Sequence, residues 1–160
     1  MTYIRISKET DVDFVASRLR DADRREVEAS TTETPHDALM NGFMLSKPHC
    51  YSVINDLDPE DHYPIAMMGI VPFEMGGAVG SVWLLGTDDI TDVVPIGFCK
   101  SIKRFFKEAT RPYSMICNVV DKRNEVHIKW IKWLGFKFLR ETNRGPNNMP
   151  FYEFARLNHV

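Results

Sequence analysis

His127 sits in the segment 124–136, Asn-Glu-Val-His-Ile-Lys-Trp-Ile-Lys-Trp-Leu-Gly-Phe, where it falls among the apolar residues and away from the lysines. An imidazole titrates near neutrality, so a histidine in that place suits general acid or base chemistry. The other reading is a core histidine that holds a backbone carbonyl. Cys117 and Asn118, on a strand-like run just upstream, are weaker chemical candidates, because a cysteine there is more often a small buried hydrophobe. A second stretch, Gly86-Thr-Asp-Asp-Ile-Thr-Asp-Val-Val-Pro95, opens a helix with one glycine and three carboxylates, Asp88, Asp89 and Asp92, and contains no basic residue. Carboxylates at a helix start cap it and complement its dipole. They also oppose any phosphate placed beside them. A third charged group, Arg24, Arg25, Glu26 and Glu28, ends a helix in the first thirty residues and reads most simply as a solvated face with internal ion pairs.

The elements that position these residues follow from periodicity and punctuation. Over 124–136, Asn124 is a good N-cap and Gly135 stands where a left-handed residue ends a helix. At 100° per residue Val126, Trp130, Ile131, Trp133 and Leu134 share one broad face, with Lys129 and Lys132 opposite. Strands are expected over 3–6, 49–54, 65–71, 78–85, 113–120, 136–140 and 151–157, the second to fourth forming an antiparallel meander. One helix is expected from Thr10, with a capping-box partner at Asp13, to about Ala29. Another runs from Pro35 to about Leu45, with proline at its first position. A longer one spans 91–109, with Pro95 in its first turn and Phe98, Ile102, Phe105 and Phe106 as its core stripe. The turn 145–148 joins the last two strands. The expected order is β-α-α-β-β-β-α-β-α-β-β.

The 160 residues suit one domain with one sizeable core. A net charge of −2 argues against a general nucleic-acid binder. No run approaches the roughly 20 apolar residues of a membrane helix, and no signal-peptide core opens the chain. Cys50, Cys99 and Cys117 lie far apart and odd in number, so neither a disulfide framework nor, with five scattered histidines, a zinc site is expected.

Strand, Asn-initiated helix, Leu-Gly-Phe and strand, set in this element order, resemble the GNAT (Gcn5-related N-acetyltransferase) fold from end to end. The segments 22–29, 82–88 and 124–136, with Phe151 and Phe154, resemble more narrowly a bacteriophage-encoded branch of GNAT-like proteins that includes the small internal virion protein of T7-type phages. The resemblance implies an α/β (α+β) GNAT domain with a mixed, mostly antiparallel sheet splayed between the strands at Val82 and Tyr113. It implies acetyl-CoA as the candidate cofactor, with Leu84, Leu85, Gly86, Thr87, Asn118 and Asn124 as the contacts should acyl-CoA bind. Departures from the family pattern weaken that expectation. The glycine-rich, arginine-containing pyrophosphate turn is replaced by the acidic 86–92 stretch, and the tyrosine that returns a proton to the thiolate is replaced by Ile131. His127, one turn earlier, is then the catalytic candidate. In GNAT folds the first two helices border the acceptor site, so Arg24, Arg25, Glu28 and His36 are the candidate contacts for a partner or substrate. Trp83, Trp130 and Trp133 are expected in the core or at an interface. Two functions stay open, a non-catalytic phage protein acting in virion assembly or on a host protein, in the host cytoplasm or the virion, and a non-standard acetyl-CoA-dependent N-acetyltransferase, with a non-enzymatic sensor of a CoA derivative as a third. A homo-oligomer is left open.

Overall fold

The computed structural model describes residues 2–58, 60–92 and 96–158. The chain runs β1 (Tyr3–Ile6), α1 (Glu9–Ser17), α2 (Asp21–Ser30), α3 (Pro35–Ser46), β2 (Cys50–Asp58), β3 (Asp61–Pro72) and β4 (Val79–Gly86). It continues α4 (Asp89–Asp92), α5 (Ile96–Ala109), β5 (Met115–Asp121), α6 (Glu125–Trp133), β6 (Lys137–Arg144) and β7 (Met149–Leu157). The seven strands form one sheet in the order β1-β2-β3-β4-β5-β7-β6.

Every neighbouring pair is antiparallel except β4 and β5, which follow the α4–α5 crossover and lie parallel. That parallel pairing covers only Val79–Ser81 against Met115–Cys117, although β4 continues to Gly86 and β5 to Asp121. The sheet therefore splays beyond Ser81 and Cys117, at the place the resemblance implies. Asn118 spans the start of the gap, its Nδ2 donating to the Val82 carbonyl at 2.6 Å.

Apolar residues on both faces of the central strands set the layers, as expected for strands covered on two sides. Met67, Trp83 and Leu85 turn to α1 and α3, where they pack with Val12, Val15, Leu39 and Phe43. Ala66, Met68 and Leu84 turn the other way, to Phe98 and Phe105 of α5. Val82, Ile116, Val120 and Phe154 continue that second layer against Phe106 and α6. Trp83 is a core residue whose Nε1 donates to Ser46 Oγ at 2.8 Å.

Several sequence expectations change. The helix from Thr10 to Ala29 is two helices, broken at 18–20, and its start is one residue earlier than Thr10. Lys8 is the N-cap, and the Asp11 carboxylate, not Asp13, accepts the Lys8 N–H at 2.8 Å. The helix over 91–109 is α4 and α5, and Pro95 lies outside the described residues. Helix α6 packs through Ile128, Ile131 and Leu134, while Val126 and Trp133 are exposed. Trp133 lies edge-on to Trp130 with the Lys103 ammonium 4.8 Å from its ring. The caps hold: Asn124 Oδ1 accepts the His127 N–H, and Gly135 takes φ 90°. Thr34 likewise caps α3, accepting the Asp37 N–H ahead of Pro35.

Candidate functional site

The divergence of β4 and β5 leaves a cavity of about 260 Å³ that reaches residues from both faces of the sheet, Gly42 of α3 on one side and Phe106 of α5 on the other. Its walls are mostly apolar. Leu84 and Leu85 come from β4, Val120 from β5, and Trp130 and Ile131 from α6. Asn118 and His127 also line it, so four of the residues expected around a cofactor or reaction meet at this one place.

One end of the cavity is polar, and a buried network fixes it. Arg20 leads into α2, and its own N–H donates to the Gly86 carbonyl at 2.9 Å. Its Nη2 donates to Asp23 Oδ1 at 2.6 Å, and both side chains are buried. Asp23 Oδ2 accepts the Gly86 N–H at 2.9 Å, and Oδ1 accepts Asn124 Nδ2 at 3.1 Å. The same Nδ2 donates to Glu26 Oε2 at 3.1 Å, and the Asp121 N–H reaches that oxygen at 3.1 Å. His127 Nε2 lies 3.5 Å from Asp23 Oδ1. One helix is thereby fastened to the end of β4, the end of β5 and the start of α6.

Burial decides the protonation of this end. Glu26 is pushed up to about 8, first by loss of solvation and then by the neighbouring Asp23 and Asp121 carboxylates, against the hydrogen bonds from Asn124 and the Asp121 N–H. His127 is pushed down from its usual value by burial; nearby Arg20 acts in the same sense and Asp23 opposes it. Around neutrality both groups are therefore uncharged. Asp121 is held low despite burial, by Arg123, which it accepts at 2.7 Å.

The other expected residues are placed as follows. Gly86 and Thr87 are buried, with the Thr87 N–H donating to the Ile65 carbonyl and Leu19 bridging to Thr87 across the end of β4. Asn124 is a buried junction as well as a cap. Arg24, Arg25 and Glu28 lie on the solvent face of α2, with Arg25 3.2 Å from Asp21. His36 is exposed and pairs with Asp13 at 2.8 Å, which raises its pKa, so its partner is α1 and not the α2 charges. Cys117 is a free thiol, half-buried and pushed up chiefly by burial. Arg20, Asp23 and Glu26 were not expected in the site. Their spacing of three puts them on one stripe of α2 beside Val27, a signal the surrounding charges conceal. Among the described residues no cluster of three metal-ligating side chains occurs, and no helix is long and apolar enough to cross a membrane.

A family described as "Bacteriophage T7, probable scaffold protein Gp13" matches residues 65–143, just under half of the chain. That span holds both walls of the splay and α6, but not α2. No curated protein matches the chain. Solved structures match along nearly its whole length. Ard1 from Thermoplasma volcanium has a TM-score of 0.69 at 14% identity, covering 98% of this chain and 97% of its own. The acetyltransferase (GNAT family) from Bacillus anthracis has 0.69 at 11%, covering 99% and 96%. The ribosomal-protein-S5-alanine acetyltransferase from Vibrio fischeri has 0.65 at 16%, covering 99% and 93%. At such identities the likeness is one of architecture. The chain has the GNAT fold, a mixed and mostly antiparallel seven-stranded sheet flanked by helices, with a splay between its fourth and fifth strands. Within that class its sequence is similar, over residues 65–143, to the phage scaffold-protein family.

Proposed function

We propose that this is a GNAT-fold binding protein of a bacteriophage, acting in virion assembly or on a host protein, and that its cleft does not take acetyl-CoA as the acetyltransferases do. The observation that carries the reading is the Gly86 N–H, which donates to the buried Asp23 carboxylate at the start of an acidic turn. A pyrophosphate in this fold needs backbone N–H groups and positive charge from that turn. Here the Gly86 and Thr87 N–H groups already have protein acceptors, and residues 86–92 supply three aspartates and no lysine or arginine. Each carboxylate near a phosphate costs on the order of 1 kcal/mol even at the dielectric of bulk water. Residues 86–92 thus do not fit the phosphate half of the cofactor. The similarity to the phage scaffold-protein family supports the phage setting, in the host cytoplasm or the virion.

One observation favours a second reading, a non-standard acetyl-CoA-dependent N-acetyltransferase: His127, uncharged near neutrality, faces the cavity. Calorimetry with acetyl-CoA and with CoA separates the two. Binding weaker than about 100 μM supports the binding-protein reading, since less than about 5.5 kcal/mol would then be gained. An affinity of about 10 μM or tighter overturns it. Asp88→Gly combined with Asp89→Arg is expected to tighten CoA binding, by removing two repulsions and adding one attraction.

A further inference from the structure

Glu26 lines the cavity in the splay, and the network engages only one of its carboxyl oxygens. Glu26 Oε2 accepts two N–H groups, from Asn124 and Asp121, whereas Glu26 Oε1 takes part in no hydrogen bond among the described residues. The side chain is half-buried and lines the cavity together with Leu84, Trp130 and Ile131. We propose that this cavity holds a neutral, mainly apolar molecule of about ten non-hydrogen atoms, bearing one carbonyl group that accepts a hydrogen bond from Glu26 Oε1.

Size sets the first part of this assignment. An apolar cavity of about 150 Å³ takes a benzene, so the roughly 260 Å³ present here suits a fused bicycle. Charge sets the second. The titratable groups that face Glu26 are each paired or uncharged. Asp23 and Arg20, at the start of α2, pair with each other. Asp121 and Arg123, between β5 and α6, do the same. His127 of α6 is uncharged near neutrality. The lining residues of β4, α3 and α5 carry no charge. An anionic ligand finds Arg20 already matched, and a cationic one must sit near that same guanidinium. The protonated state of Glu26, held to about pH 8, supplies a donor for a neutral acceptor.

The inference rests on the reading that this cleft binds without transferring an acyl group. It is tested separately from that reading by a ligand series of one shape on the intact chain: 1-tetralone, its hydrocarbon tetralin, and the amine 1-aminotetralin. Trp83 and Trp130 line the cavity, so tryptophan fluorescence reports occupancy, and thermal shift gives an independent measure. At pH 6.5 tetralone is expected to bind with submillimolar affinity, about tenfold tighter than tetralin, the ratio one hydrogen bond provides. At pH 9.5, where Glu26 loses its proton, that advantage disappears. Glu26→Gln keeps a donor at the same place, so tetralone binding becomes the same at both pH values. Ile131→Phe fills the cavity and, in protein whose circular dichroism is unchanged, abolishes binding. Four results overturn the proposal: equal affinity for tetralin and tetralone at pH 6.5, tightest binding by the amine, binding by none of the three, or undiminished tetralone binding in folded Ile131→Phe. Tight acetyl-CoA binding in the calorimetry overturns the binding-protein reading instead, whichever way the tetralone series falls.

Discussion

Asp23 accepts hydrogen bonds from three separated parts of the chain: the Arg20 guanidinium, the Gly86 N–H and the Asn124 amide. Glu26, one turn further along, faces the same interior with a raised pKa, and this has a consequence for stability. A carboxyl whose folded value is above its free value binds its proton more tightly when folded. Its contribution is complete below about 4.5 and is lost as pH rises through about 8. Glu26→Gln keeps an oxygen for Asn124 and the Asp121 N–H but has no proton to lose. In urea unfolding the variant should therefore gain on the unaltered protein between pH 5 and pH 9, by more than about 1 kcal/mol at the upper end. A difference that stays flat across that range would show that Glu26 is solvated. His127 acts in the opposite sense: its depressed value means stability is lost as pH falls below about 6.5, and because the two windows overlap Glu26 is read from the difference between variant and unaltered protein, in which His127 cancels.

At the scale of elements, α6 is the clearest case of local sequence deciding local structure. Asn124 and Gly135 bound it, and its apolar stripe turns to the sheet. The stripe is centred on Ile128, Ile131 and Leu134, and none of the helix is fully buried, because the cavity lies under it. Ile131→Ala and Leu134→Ala are accordingly expected to cost about 1–3 kcal/mol each, less than deletions in a close-packed core. Chemical denaturation measures this, and two near-zero values would mean that α6 does not rest on the sheet. The break between α1 and α2 is the converse case. Ser17-Arg-Leu-Arg20 contains neither glycine nor proline, and nothing local stops a helix there. The chain turns because Leu19 bridges to Thr87 and the Arg20 N–H reaches the Gly86 carbonyl, 66 residues further along the sequence. The same turn carries Arg20, Asp23 and Glu26 inward, so the missed helix boundary and the missed site residues have one cause.

For the whole molecule, the interior network and the outer face of α2 make separable demands. Arg24, Arg25 and Glu28 remain in solvent and are the proposed contacts for a virion or host protein. Arg25→Glu exchanges an exposed pair with Asp21 for a repulsion, and stability should stay within about 0.5 kcal/mol. Loss of one member of an interfacial charge pair removes about 2–5 kcal/mol of binding, so phage carrying this change are expected to assemble poorly or lose the partner on co-purification. His127→Ala is the matched control, since acyl transfer in this cleft would depend on that side chain. Phage that fail with a folded His127→Ala protein and grow with Arg25→Glu would favour chemistry over docking.

Hydrophobic periodicity and punctuating residues were enough to define the strands, the meander, the helix start at Pro35 and the Asn124 cap, and resemblance to a known family then supplied the GNAT fold. These signals are local, and each is repeated along its element. The splay was reached only by resemblance, and its geometry comes from pairing that stops after Ser81 and Cys117. The polar end of the cavity was not legible, because a run such as Asp21-Ala-Asp-Arg-Arg-Glu-Val-Glu28 looks solvated when taken by itself. Which of its charges face inward depends on the angle at which α2 meets β4, β5 and α6. That angle is set by hydrogen bonds between residues distant in sequence, and only the assembled fold brings their donors and acceptors together.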